Sequence, residues 1–361
     1  MAGTDPKKRP VKDLSRDALA ELCKAQGQPS FRAKQIAEWL YEKNVANFSD
    51  MTNLPASFRE YLAKNFMVDS LTMMDFRECD EGLTRKCLFA IDENDCVETV
   101  AMKTKGSGQD KTTLCISTQV GCAMNCSFCA SALDGFKRDL SPAEIVDQAL
   151  MTMREFGGIL GNIMIMGMGE PLLNISGLRA ALDAFTSSPG LAMSPRRITV
   201  STAGIVPGID QLSEFPQPPD LAISLHACDD GARSRLMPVN KKYPTNEVID
   251  AARRYRSNTK ADVTLEYLML SGVNDAANDA RKLAKIAVSI PANVNLLPFN
   301  DMPVATKRGL RASAEDAVEG FQDILRCESI RAFVRNPRGR EVVGACGQLR
   351  LQRRNTNGDW Q

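Results

Sequence analysis

From about residue 112 onward, short apolar runs rich in β-branched residues alternate with stretches whose apolar positions recur at helical spacing. The strand candidates are "TTLCIS", "NIMIM", "RITVS", "LAISL", "VTLEYLML", "NVNLLPF" and "IRAFVR", with helices predicted between them. One helix marks both of its ends. In "SPAEIVDQALMTMREFGG", Ser141 is an N-cap, Pro142 opens the first turn, Glu144 completes a capping box and Gly157 stops the helix. Regular alternation of strand and helix implies a parallel sheet. No G-x-G-x-x-G follows the first strand, so the pattern predicts a full or partial βα barrel instead of a dinucleotide-binding sheet. Functional groups in such a fold collect in the loops at the C-terminal ends of the strands.

Upstream the pattern is different. "FRAKQIAEWLYEKNVA" places Ile36, Trp39, Leu40 and Lys43 at helical spacing, and "LPASFREYLAKNF" does the same with Phe58, Leu62 and Phe66 after Pro55. Between about 70 and 105, "TRKCLFAI" and "CVETVAMK" alternate as antiparallel strands around the turn "DENDC", and "KTKGSGQDK" reads as a loop. The expected organisation is a helical accessory domain over residues 1–68, its Lys- and Pro-rich start mobile. A β extension and loop over 69–107, a core barrel over 108–342 and a basic C-terminal segment over 343–361 follow.

Composition narrows the function. The 361 residues, 43% hydrophobic, suffice for a large core, while 45 basic against 44 acidic residues give a net charge of +1 and no global case for nucleic acid. No apolar run approaches the length needed to span a bilayer, and the charged N-terminus has no apolar stretch after it, so a cytoplasmic protein is expected. Eleven cysteines, an odd number without a secretion signal, argue against a disulfide framework. Cys23, Cys79, Cys87, Cys96, Cys228 and Cys327 read as packed thiols.

The other cysteines carry the chemistry. "QVGCAMNCSFCA" follows the first barrel strand and sets Cys122, Cys126 and Cys129 in one loop. A closed zinc site would need a fourth ligand, yet the chain has one histidine, His226, and no second C-x-x-C pair. Three thiolates can instead hold three irons of a four-iron cluster and leave the fourth open to the amino and carboxylate groups of a cofactor. The spacing, with Phe128 before the last cysteine, resembles the signature of radical S-adenosylmethionine (SAM) enzymes. That resemblance implies a 4Fe-4S cluster on Cys122, Cys126 and Cys129 that donates an electron to split SAM into methionine and a 5′-deoxyadenosyl radical. "MGMGEPLLN" follows the second strand, where Gly169 permits close backbone approach and Glu170 offers a carboxylate to an ammonium group. Ser201 ends "RITVS", Ser224, Leu225 and His226 end "LAISLH", and Asn300 ends "NLLPFN", all at the same predicted rim.

With "SPRRITVSTAG", "RLMPVNKKYP", "YLMLSGVND", "FRAKQIAEWLY" and "ACGQL", these motifs closely resemble the RlmN/Cfr family of RNA adenosine methyltransferases over nearly the whole chain. The resemblance implies a fold, a partial (β/α)6 TIM-like radical SAM barrel in an α/β chain, and an activity. An sp² adenine carbon between nitrogens is not nucleophilic, so it cannot attack the SAM methyl directly. In the family one SAM methylates a cysteine, matching Cys346, and a second, making two per turnover, generates the radical that activates that methyl for addition to the base. A second cysteine, matching Cys115, resolves the RNA–enzyme crosslink by forming a transient disulfide. A general base matching Glu98 removes the proton, a role suited to a carboxylate of raised pKa in an apolar strand. "KTKGSGQDK" makes the stretch between Glu98 and Cys115 longer than the common family pattern. The implied substrates are 23S rRNA, at carbon 2 of adenosine as in the RlmN branch or carbon 8 as in the Cfr branch, and tRNA. A reducing system for cluster and disulfide is required, and a monomer is expected. Local charge agrees: seven arginines and one acid lie between Arg331 and Arg354, and Arg196, Arg197, Lys241, Lys242, Arg253, Arg254 and Arg256 are further candidates for phosphate contact. The reacting adenine must be a loop nucleotide or one drawn from its stack.

Overall fold

The structure, a computed structural model, describes residues 8–104, 110–132, 135–299, 306 and 308–335. Residues 105–109 of the predicted loop, Asn300 and Cys346 lie outside them.

Two short strands, β1 (Arg9–Pro10) and β2 (Phe66–Met67), pair in parallel and close the N-terminal helical unit. Its helices, Arg16–Ala25, Phe31–Ala37 and Ala56–Asn65, bury one apolar cluster that includes Leu19, Ile36, Leu40, Phe58 and Leu62. The second helix runs on into a π turn over Glu38–Glu42, which brings Lys43 over the Trp39 ring at 3.6 Å.

The antiparallel extension has three strands, not two: β3 (Thr72–Cys79), β4 (Thr84–Ala90) and β5 (Cys96–Thr104). β3 escapes the hydrophobic pattern because it is the sheet's edge and most of its residues face solvent. β6 (Lys111–Cys115) then begins the parallel array, and a small hairpin of β7 (Gln119–Gly121) and β8 (Phe136–Asp139) brackets the cysteine loop. The array continues with β9 (Ile159–Ile165), β10 (Ile198–Thr202), β11 (Asp220–Ser224), β12 (Val263–Met269), β13 (Asn293–Pro298) and β14 (Ala332–Val334). All join one ten-stranded sheet in the order β14-β13-β12-β11-β10-β9-β6-β5-β4-β3. Helices follow each parallel strand from β6 to β13, which gives six strand–helix units and a barrel that stays open.

Alternation along the strands sorts the sheet into two faces. Leu114, Ile163, Ile165, Val200, Leu221, Ile223, Leu265, Val294 and Leu296 point to the helices and form the core, each 1% exposed or less. The other face carries the polar residues. The predicted helix Pro142–Phe156 has both halves of its capping box, and Gly157 stops it at φ 70°. Cys23, Cys79, Cys87 and Cys96 are buried and Cys228 partly so. Cys327, expected to be packed, is exposed: it ends helix Glu315–Cys327 two residues beyond Leu325, off the stripe of Val318, Phe321 and Leu325 that meets the core.

The N-terminal unit is docked on the first barrel helix by buried polar contacts. Lys12 pairs with Asp147 and donates to the Val68 carbonyl at 2.8 Å, while the Ser70 amide and hydroxyl both donate to Asp147 at 2.7 Å. Arg154 clamps Asp69 with two hydrogen bonds of 2.6 and 3.1 Å. Removing one partner strands a buried charge, so Lys12→Met is expected to destabilise the chain by about 3–5 kcal/mol in urea unfolding. The double variant Lys12→Met/Asp147→Leu is expected to recover part of that loss.

Candidate active site

The cysteine loop sits on the C-terminal ends of the barrel strands. Cys126 and Ala130 share an apolar cluster with Ala203 beyond β10, Ala227 beyond β11, Leu270 beyond β12 and Phe299 beyond β13. The loop is held by its backbone: the Cys122 amide donates to the Gly135 carbonyl at 3.0 Å, the Ser127 amide to Leu236 at 2.9 Å and the Cys129 amide to Cys126 at 3.2 Å. Gly121, at φ +72°, allows this closure, since a Cβ there would lie 1.8 Å from the Gly135 oxygen.

The electrostatics fit a cationic cluster. Burial pushes the Cys122 thiol up to about 12, and the charges of Cys129 and Glu170 add to it. Burial also raises Cys126, followed by its neighbours Cys129 and Cys122. Buried thiolates at Cys122 and Cys126 cannot stand bare beside Cys129, whereas iron held by the three would supply the missing positive charge. Among the described residues no three His, Cys, Asp or Glu side chains are placed to hold a single metal ion.

Glu170 lies against this loop and is buried, with its carboxylate already engaged. One oxygen accepts the Leu172 amide at 3.1 Å, the other the Ala203 amide at 2.7 Å. Burial raises its pKa to about 7 against these hydrogen bonds. The close approach permitted by Gly169, at φ +102°, is to the protein itself: a Cβ there would strike Gln119, whose side chain accepts the Glu170 amide at 2.8 Å.

His226 also has partners. Its Nδ1 accepts the Leu268 amide at 3.1 Å, its carbonyl accepts from Asn274 at 2.7 Å, and its ring meets Phe128 edge-on at 4.8 Å. Burial and the nearby Arg233 drop its pKa to about 3, so the ring is neutral and carries its proton on Nε2. The carbonyls of Ser224 and Leu225 accept from Arg233 at 3.2 and 3.1 Å. Arg233 also bonds the Ala203 carbonyl at 2.7 Å and Asn240 at 2.8 Å, tying the ends of β10 and β11 together behind Cys126. Sequence reading missed this guanidinium, because an arginine in a polar helix looks solvated.

Glu98, Cys115, Ser201 and Ser224 all lie on the polar face of the sheet, opposite the helices. Val100 pairs across to Cys115, and Cys115 to Met164; Ser201 pairs to Ala222, and Ser224 to Glu266. Glu98 is buried as expected but is not a lone carboxylate in an apolar wall, since Lys86 meets it at 3.1 Å. The Cys115 thiol is raised to about 11 by burial. Two more groups on this face were overlooked: Glu266, pushed up to about 7 by burial, and Asn295, which donates to it at 2.8 Å. A lone acid in "VTLEYLML" at an inward position was the available signal. The candidate phosphate-binding arginines on the surface are mostly ion-paired: Arg196 with Asp220, Arg253 with Asp250, Arg254 with Asp210 and Arg256 with Asp262. Cys346 and Asn300 lie outside the described residues.

Residues 116–284 match the Radical SAM superfamily, and residues 11–68 match the ribosomal RNA large subunit methyltransferase N-terminal domain. A dual-specificity RNA methyltransferase RlmN from Desulfotalea psychrophila is 39% identical over 359 residues, covering 96% of each chain. One from Geobacter sulfurreducens is 38% identical over 94% of this chain and 91% of its own. The crystal structure of a radical SAM methyltransferase from Sphaerobacter thermophilus matches with a TM-score of 0.87 and 39% identity, covering 94% of this chain and 98% of that one. Sheet, cysteine loop and full-length similarity together make this chain a member of the RlmN family of radical SAM RNA methyltransferases, a family that uses a 4Fe-4S cluster and SAM.

Proposed function

We propose that the chain methylates carbon 2 of a specific adenosine in the peptidyl transferase centre of 23S rRNA, and the adenosine 3′ of the anticodon in tRNA. It does so as a cytoplasmic monomer that consumes two SAM per turnover. The observation that carries this reading is that Glu98, Cys115, Ser201 and Ser224 share the one polar face of the sheet, beneath the cysteine loop, in a chain related to RlmN proteins over nearly its full length.

Cys122, Cys126 and Cys129 hold the cluster, which when bound supplies the electron that opens SAM. Gly169, Glu170, Ser201, Ser224, Leu225, His226 and Asn300 form the SAM seat. Within it, the neutral His226 ring backs Phe128 and keeps Nε2–H as a donor, and Arg233 fixes the backbone of Ser224 and Leu225. Cys346 carries the methyl group to the base, Glu98 accepts the proton from the substituted carbon, and Cys115 releases the product by forming a disulfide with Cys346. A thiol reductant then restores both cysteines, and a low-potential electron donor recharges the cluster. The N-terminal unit and the arginines from Arg331 onward contact RNA.

Cys115→Ala is expected to accumulate a covalent RNA–protein adduct on denaturing gels, while Cys346→Ala forms none. A Cys115→Ala protein that turns over normally would remove the two-thiol scheme. Mass spectrometry of rRNA and tRNA modified in vitro is expected to find 2-methyladenosine; 8-methyladenosine would assign the chain to carbon 8 chemistry. Gly121→Ala, which forces the cysteine loop off the Gly135 carbonyl, is expected to lower the iron content of the purified protein.

A further inference from the structure

Lys86 lies one strand from Glu98 and two from Cys115, the groups assigned to proton and thiol chemistry. It lies opposite Val100, and Val100 lies opposite Cys115, so Lys86 and Cys115 flank one apolar residue in a single row across β4, β5 and β6. Glu98 is one inward step along β5 from Val100 and meets the Lys86 ammonium at 3.1 Å, both side chains only 4% exposed. Cys115 is partly buried. A backbone hydrogen bond from Met166 and the charge of Lys86 favour its thiolate, against the larger effect of burial. Its other cross-strand neighbour, Met164, is uncharged. Among the described residues, Lys86 is a cation that bears on this thiol.

We propose that Lys86 is a positioning residue that couples Glu98 to Cys115, one ammonium serving the base and the thiol in turn. While Glu98 is a carboxylate it cancels much of the field that Lys86 projects onto Cys115. Once Glu98 has taken up a proton, that opposing charge is gone and the field of the ammonium at the thiol is stronger, in surroundings where water screens little. The thiol therefore becomes acidic after the base has acted, the order that release of a crosslink requires. This inference rests on the reading of Glu98 as base and Cys115 as resolving thiol.

The test is the rate at which iodoacetamide alkylates Cys115 in the full-length, cluster-loaded protein, followed by mass spectrometry of its peptide across pH 7–10. Glu98→Gln, which removes the opposing charge, is expected to speed alkylation at pH 8 by about fivefold and to shift its pH profile downward. Lys86→Met is expected to slow it by about fivefold, with Lys86→Arg close to the unaltered protein. The decisive comparison is the order of the rates: Glu98→Gln fastest, the unaltered protein and Lys86→Arg between, and Lys86→Met slowest. Should Lys86→Met fail to fold, Lys86→Gln takes its place. An unchanged rate in Glu98→Gln, or in Lys86→Met, overturns the coupling. The thiol rates judge the coupling alone, and the RNA adduct of Cys115→Ala judges the assigned roles separately.

Discussion

Three thiolates cannot be crowded into a low-dielectric loop unless positive charge enters with them, and the architecture around Cys122, Cys126 and Cys129 follows from that constraint. Burial first, and then neighbouring thiolates, raise Cys122 and Cys126 above the ordinary thiol range. The loop that holds them therefore cannot depend on the thiols for its shape. It is fixed by backbone hydrogen bonds, by the positive φ of Gly121 and by apolar packing onto the ends of four barrel strands. One buried cation, Arg233, lies behind it and bonds to the strand ends instead of competing for the cysteines. A frame complete without metal suits a cluster that Cys122, Cys126 and Cys129 would hold with three protein ligands.

The same sheet separates stability from chemistry. Its helix-facing side is almost uniformly aliphatic and buried. Its other side gathers Lys86, Glu98, Cys115, Ser201, Ser224, Glu266 and Asn295, and ionic and amide groups answer one another there: Lys86 with Glu98, Asn295 with Glu266. The antiparallel strands extend that polar face past the edge of the parallel array. This is how Glu98, far from the cysteine loop in sequence, comes to share a surface with it.

Much of this was legible in the residues. Period-2 and helical-period runs gave the barrel its strands and helices, and the capping box at Ser141 and Glu144 named the start of its first helix. Chain signals of that kind are local and survive folding. What escaped were long-range facts. β3 is an edge strand with little apolar content, Arg233 owes its burial to carbonyls on two other strands, and Glu98 acquired a lysine partner two strand-widths of sequence away. Cys327 misled because a thiol's preference for the interior is statistical, whereas its position off the helix's apolar stripe is geometric.

The central claim is that three cysteines leave one iron free for SAM. It is tested most directly by electron paramagnetic resonance of the anaerobically purified, dithionite-reduced protein with and without SAM, with methionine and 5′-deoxyadenosine measured in the same sample. The account predicts a 4Fe-4S signal that changes when SAM is added and the release of both cleavage products. A metal centre whose spectrum ignores SAM and which yields neither product would contradict it.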